Sequence, residues 1–192
     1  MGLYGGVVMH MSSCDQIKGL TDNIKLNKDN VFEDIVEEYS NSIIRLCYLQ
    51  TGDLNESEDL AQEVFLKIYK NLDRFKGNSS IYTWIYKITI NTCFSYLKKN
   101  GKIVKEELNR NIPNEELTEE IVLNKYSREE IRGWLFNSPT DYRVPLYMFY
   151  FEDMKISQIA EVLECNENTV KTRLRRGKEF IKKSAGGEVL NG

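Results

Sequence analysis

"KISQIAEVLECNENTVKTRLRRGKEF", residues 155–180, holds two helical patterns separated by a break of only a few residues. Ile156, Ile159 and Leu163 recur at threes and fours and give the first segment one apolar side. Ala160 is small enough for a second helix to cross closely over the first. Asn166 is the type of residue that accepts the first N–H groups of a helix, and Val170 and Leu174 then face the same interior. The outward positions are Glu167, Asn168, Lys171, Thr172, Arg175 and Arg176. This is the grammar of a helix-turn-helix, whose second helix offers its outward side chains to base edges and phosphates. A plain helical hairpin has the same spacing, so the rest of the chain must separate the two readings.

Charge is the first separator. "KTRLRRGKEFIKK", residues 171–183, carries seven cations (Lys171, Arg173, Arg175, Arg176, Lys178, Lys182, Lys183) against Glu179 alone, in a chain whose net charge is −3. A solvated surface helix accounts for one such run. The sign, however, alternates along the chain. Residues 29–66 hold ten acids and one base, Arg45, whereas residues 67–105 hold nine bases and one acid, Asp73. Residues 106–130 are again rich in glutamate. Two basic blocks separated by acidic ones imply two contacts with a polyanion, plus faces for another partner.

Several function classes are excluded. No apolar run approaches a membrane span, the longest candidate being "YMFYF" at 147–151, and "MGLYGGVVMHM" at the start lacks the layout of a secretory signal. The expected location is therefore the cytoplasm, with no membrane insertion of this chain. Cysteines at 14, 47, 93 and 165 form no C-x-x-C pair, and His10 is the single histidine, so zinc spacing and a disulfide framework are both absent. Cys47 and Cys93 fall within apolar helical patterns, where a reduced cysteine acts as a small hydrophobe. One histidine in a glycine-rich leader is a poor general base, and neither G-x-S-x-G nor a P-loop occurs. No enzyme activity and no cofactor are expected.

An all-α fold of two small helical domains follows from the periodicity. Asn30 with Glu33 reads as a capping box before Phe32, Ile35, Val36, Tyr39, Ile43 and Leu46. Asn55 with Glu58 reads the same way before the unbroken i, i+4 row Leu60, Val64, Ile68 and Leu72. Ser79 or Ser80 caps a third helix carrying Ile81, Ile85 and Ile88, which "NGK" at 100–102 ends. The first domain is thus expected over 29–100. Residues 101–117, with weak periodicity and Pro113, read as a flexible linker. The second domain, 118–184, holds a helix near 118–137, one opening around "SPTDYR" that Pro145 should kink or delay, and the helix-turn-helix. Residues 1–28 are an extension without an assigned role, and 185–192 a tail.

Two longer stretches add a resemblance. "ESEDLAQEVFLKIYKNLDRFKGNSSIYTWIYKITINTCFSYLKK" (56–99), with its "EDL-Q-VF" and "TW-Y-I--N" patterns, is similar to sigma region two of the bacterial extracytoplasmic function (ECF) sigma factors. "YRVPLYMFYFEDMKISQIAEVLECNENTVKTRLRRGKEFIKK" (142–183) is similar to their region four. The resemblance covers roughly residues 29–184. It implies a dissociable initiation factor that binds core RNA polymerase, recognises the minus-thirty-five and minus-ten promoter elements, and melts the latter. By that resemblance Asp59, Gln62, Glu63 and Phe65 dock on the clamp helices of the largest polymerase subunit. The minus-ten strand falls to Lys76, Asn78, Ser79 and Ser80 of the loop "KGNSS", where a flipped base is captured, and to Lys87 and Asn91. Tyr82, Trp84 and Tyr86 are candidates for stacking on unpaired bases, with Trp84 also a core candidate. The minus-thirty-five element falls to Asn168, Thr169, Lys171, Thr172, Arg173, Arg175 and Arg176. An anti-sigma factor is an expected partner.

The chain departs from the family pattern in three places. Glu164 stands where the turn usually has glycine, so either it takes up a strained backbone or the turn differs. Gly177 replaces a usual alanine at a cost of about 1 kcal/mol to the helix. "LKKNGK" ends region two where arginines are frequent. The rival readings are a free-standing helix-turn-helix regulator, which would need a dimerisation or ligand domain, and a helical adaptor, which leaves two basic blocks without a purpose.

Overall fold

The computed structural model describes residues 14–101 and 128–188, and every regular element among them is helical. The chain divides into two units between residues 102 and 103. The first holds α1 (Cys14–Leu26), α2 (Lys28–Thr51), α3 (Leu54–Asn71), a 3-10 turn (Leu72–Arg74) and α4 (Ile81–Lys99). α2, α3 and α4 all pack against one another. The row Leu60, Val64, Ile68 and Leu72 is fully buried, as its spacing predicts, and shares the core with Ile35, Ile43 and Leu46 of α2 and Ile81, Ile85 and Ile90 of α4.

The starts of α2 and α3 differ from the capping expectations, and the turns explain why. Asn30 lies inside α2, because α1 hands over to α2 across a single residue. The Asn27 N–H donates back to the Asn23 carbonyl at 2.7 Å, and the Asn27 carbonyl accepts from the Val31 N–H at 3.1 Å. The core side accordingly opens at Val31, and Phe32 and Val36 are only half-buried. At the next turn Gly52 takes the left-handed conformation (φ 75°) and closes α2 with its N–H on the Tyr48 carbonyl. That places Asp53, not Asn55, at the cap of α3, its Oδ1 accepting the Glu56 N–H at 2.9 Å. Ser80 is the residue that caps α4, its Oγ accepting the Thr83 N–H at 3.1 Å. Gly101 (φ 65°) follows the end of that helix.

α1 packs on α2 and on the 3-10 turn, with Ile24 buried, so residues ahead of 29 take part in the first unit. The start of α2 is also tied to the end of α3. Lys28 pairs with Asp73 and lies 4.5 Å from the centre of the Tyr69 ring, while the Tyr69 hydroxyl donates to Asp29 at 2.9 Å. That hydrogen bond, with the negative charge of Asp29, raises the Tyr69 pKa.

The second unit holds α5 (Arg128–Asn137), α6 (Thr140–Tyr150), α7 (Ile156–Val162) and α8 (Glu167–Glu188). Residues 102–127, including nearly all of the expected linker and the expected helical stretch 118–127, lie outside the described residues. Pro145 does not delay α6. The helix opens at Thr140 and encloses Pro145 as a buried residue, forfeiting the one backbone bond that position would donate. Leu135, Leu146, Met148, Ile159, Val162, Val170 and Ile181 form the core. Gly177 has a packing reason that propensity alone does not reveal. A Cβ there would lie 2.5 Å from Leu146 Cδ1 and 3.1 Å from Tyr142 Cβ, so the missing side chain lets α8 close onto α6.

Candidate nucleic-acid interface

The turn between α7 and α8 is built by backbone bonds. The Lys155 N–H donates to Gln158 Oε1 at 2.9 Å and fixes the start of α7. At its end the Cys165 N–H reaches the Ala160 carbonyl at 3.0 Å and the Glu164 N–H the Glu161 carbonyl at 3.3 Å, the paired closure that requires a left-handed residue. Glu164 supplies it at φ 51°, so the non-glycine residue accepts the strained backbone. Two residues on, Asn166 Oδ1 accepts the Thr169 N–H at 2.7 Å and the Thr169 hydroxyl at 3.0 Å, which opens α8. Val170, Leu174, Gly177 and Ile181 turn inward.

The opposite side of α8 carries Asn168, Lys171, Thr172, Arg175 and Arg176 within a stripe spanning about 140° at 100° per residue. Asn168 and Arg176 are exposed, and Lys171, Thr172 and Arg175 half-exposed. Two of the seven residues expected to meet this element fall away from the stripe. Thr169 is engaged in the cap, and Arg173 lies toward the inner boundary, where its charge lowers the Cys165 pKa against the larger upward push of burial. Arg175 is held by Glu179 at 2.7 Å one turn on. Lys178 points to α6, 5.6 and 5.7 Å from the ring centres of Phe149 and Tyr150. Burial pushes the Tyr150 hydroxyl up to about 12, so Lys178 meets neutral rings.

In the first unit the loop at 76–79 is pinned at both ends. Phe75 is buried and its ring lies 5.4 Å from that of Trp84, while Ser80 is committed to the cap of α4. Gly77 turns the chain at φ 71°. Lys76 and Asn78 are thereby exposed and Ser79 half-exposed, with Lys87 half-exposed and Asn91 exposed one turn apart on α4. The stacking expectation fails for two of its three aromatics. Tyr82 and Tyr86 are buried, their rings 4.7 Å apart and that of Tyr82 5.9 Å from Tyr39, because α4 is packed on several sides. Trp84 remains half-exposed.

On α3, Asp59, Gln62 and Glu63 are exposed. Glu63 pairs with Lys67 at 2.7 Å, and Lys67 also reaches Thr92 Oγ1 of α4 at 3.3 Å. Phe65 is half-buried, edge-on to Phe32 with ring centres 6.3 Å apart. Leu66 is 58% exposed beside Gln62 and Glu63, a position the sequence motifs do not mark. Its signal is nonetheless present: in a helix whose core row is 60, 64, 68 and 72, position 66 points away from the interior.

Comparison with known proteins bears on these surfaces together. The family model "Sigma-70 region 2" matches residues 35–103 and "Sigma-70, region 4" matches residues 139–181, together more than half of the chain and in the family's order. The chain belongs to the sigma-70 family, in its ECF group. Its relatives include the ECF RNA polymerase sigma factor SigW of Bacillus subtilis (strain 168), 29% identical over 178 residues, covering 87% of this chain and 95% of that protein. Another is the ECF RNA polymerase sigma-E factor of Escherichia coli (strain K12), 27% identical over 180 residues and covering 87% and 92% respectively. The sigma factor RpoE of Bartonella quintana, solved in complex with the anti-sigma factor NepR, shares the fold at a TM-score of 0.61 and 16% identity, over 79% of this chain and 94% of that one.

As a sigma factor the chain directs transcription initiation from promoters, within a family of non-catalytic initiation factors. Among the described residues no helix is long and apolar enough to cross a membrane. The loop at 76–80, α3 and α4 lie within the region-two match, and the helix-turn-helix lies within the region-four match.

Proposed function

We propose that this sigma factor docks on the clamp helices of core RNA polymerase through Asp59, Gln62 and Glu63 of α3, with Leu66 as the apolar element of that face. The loop around Asn78 and Ser79, with Lys87 and Asn91, takes the unpaired strand of the minus-ten element, and α8 reads the minus-thirty-five element in the major groove. The observation that carries this reading is the division of α8 into a buried edge (Val170, Leu174, Gly177, Ile181) and an outward stripe with Asn168, Lys171, Arg175 and Arg176. Arginine can pair with both acceptors of a guanine edge, worth about 1–3 kcal/mol of discrimination, whereas lysine to phosphate adds affinity without sequence information. The protein works in the cytoplasm, where polymerase and promoters are, and needs no cofactor of its own. An anti-sigma factor is its proposed regulator, as NepR is the partner of the Bartonella protein in the solved complex. The test is to add the purified protein to core polymerase and genomic DNA and map transcript starts. A set of new starts sharing two upstream elements is expected; none beyond those made by core polymerase alone would overturn the reading.

A further inference from the structure

Cys47 of α2 and Cys93 of α4 meet inside the first unit. Both are fully buried, and the Cys93 thiol donates to the Cys47 sulfur with the two Sγ atoms 3.8 Å apart. They stand 46 residues apart in the sequence, and the chain between them holds all of α3 and the loop at 76–80. Two sulfurs in van der Waals contact need only a modest further approach to bond. A metal is a poorer occupant, since among the described residues no three His, Cys, Asp or Glu side chains are grouped to hold one. Cys165, half-buried, belongs to the other unit.

We infer that Cys47 and Cys93 are an oxidisable pair that forms an intramolecular disulfide, tying α2 to α4, when the first unit opens in the presence of a low-molecular-weight disulfide. One thiolate attacks the small disulfide, forming a mixed disulfide and releasing one small thiol. The second cysteine's thiolate attacks the protein-bound sulfur and releases the other, so the two protein thiols are oxidised and one small disulfide is reduced to two thiols. Opening is required because the folded unit covers both sulfurs. The bond to Cys47 and burial also raise the Cys93 pKa well above that of a free thiol, leaving little thiolate to react. A chain opened under oxidising conditions would be stapled as it closes, and reduction would release it.

The test uses the full chain with Cys14→Ala and Cys165→Ala, which removes competing thiols. It is unfolded in urea, refolded with a mixture of oxidised and reduced glutathione, and alkylated. The expected product is lighter by two hydrogens than the reduced chain, yields a linked Cys47–Cys93 peptide, keeps its helical circular dichroism, and gains roughly 10 °C in the first unit's melting temperature until dithiothreitol is added. Adding Cys93→Ala should abolish both the link and the gain. Folded, reduced protein in the same mixture should stay unlinked over the time that refolding chains take to link. Free or glutathione-capped sulfurs at 47 and 93 after refolding, loss of helicity in the linked form, or equally fast linking without unfolding would each overturn the inference.

Discussion

α4 and α8 are both capped by a short polar side chain, Ser80 and Asn166, yet they display function in opposite ways. α8 has one buried edge, so Lys171, Arg175 and Arg176 fall on the other side where periodicity alone exposes them, with Arg173 and Lys178 nearer its boundaries. α4 is enclosed on several sides. Ile81, Tyr82, Thr83, Ile85, Tyr86, Thr89, Ile90, Thr92 and Cys93 are all buried, and little of its length faces outward. A residue type associated with base stacking therefore says little when the helix that bears it has no single buried face, whereas a charged residue on a two-sided helix says a great deal.

The sharpest way to break that contrast is Tyr86→Ala, since Tyr86 is among the largest fully buried side chains. We expect the first unit to lose about 3–5 kcal/mol in urea denaturation. An unchanged midpoint with weakened strand binding would instead put the ring at the surface. Arg176→Ala on the outward side of α8 should stay within about 0.5 kcal/mol of the parent.

Legibility in the sequence followed the same line. The all-α class, the row Leu60 to Leu72, the inward pair Val170 and Leu174, and the Asn166 cap were readable, because each rests on local spacing. The starts of α2 and α3 were not, because α1 moved the first to Asn27, which has no Glu or Gln three residues on, and the left-handed Gly52 favoured Asp53 with Glu56 over the equally patterned Asn55 with Glu58. Nor was the part played by Gly177, which depends on how closely α6 approaches. Of the expected DNA-facing residues, Thr169 is engaged in the Asn166 cap and Arg173 lies toward Cys165, placements that depend on the cap and on neighbouring elements and not on helical spacing.

The second prediction sharpens the face of α8. Arg175→Ala should cost about 1–3 kcal/mol of discrimination at one base position of the upstream element if it reads a base. Lys182→Ala and Lys183→Ala should weaken binding about equally at every sequence and lower the slope of affinity against salt, by roughly one unit for each phosphate left without its cation. Competition binding across single-base variants and a salt titration separate these. Glu179→Gln, which removes the carboxylate charge beside Arg175, should raise non-specific binding while blunting the same discrimination.

Smaller effects test the packing behind each helix. Gly177→Ala gains about 1 kcal/mol of helix propensity but must push Leu146 aside, and overpacking costs about 1–3 kcal/mol, so a net loss is expected. A stabilised variant in thermal melts would mean that α6 and α8 do not approach this closely. Ser80→Ala and Asn166→Ala should each cost about 1 kcal/mol, read by denaturation of the respective unit.

The central claim is that separate faces serve polymerase and upstream DNA, and one paired measurement tests it. Asp59→Ala/Gln62→Ala and Lys171→Ala/Arg175→Ala would each be titrated against core polymerase, and the resulting holoenzymes footprinted on a promoter found by transcript mapping. The account predicts that the first variant binds core at least about tenfold more weakly, equivalent to about 1.4 kcal/mol, with its helical spectrum intact. The second should bind core normally and lose the upstream footprint. Normal core affinity in the first together with an undiminished upstream footprint in the second would contradict it.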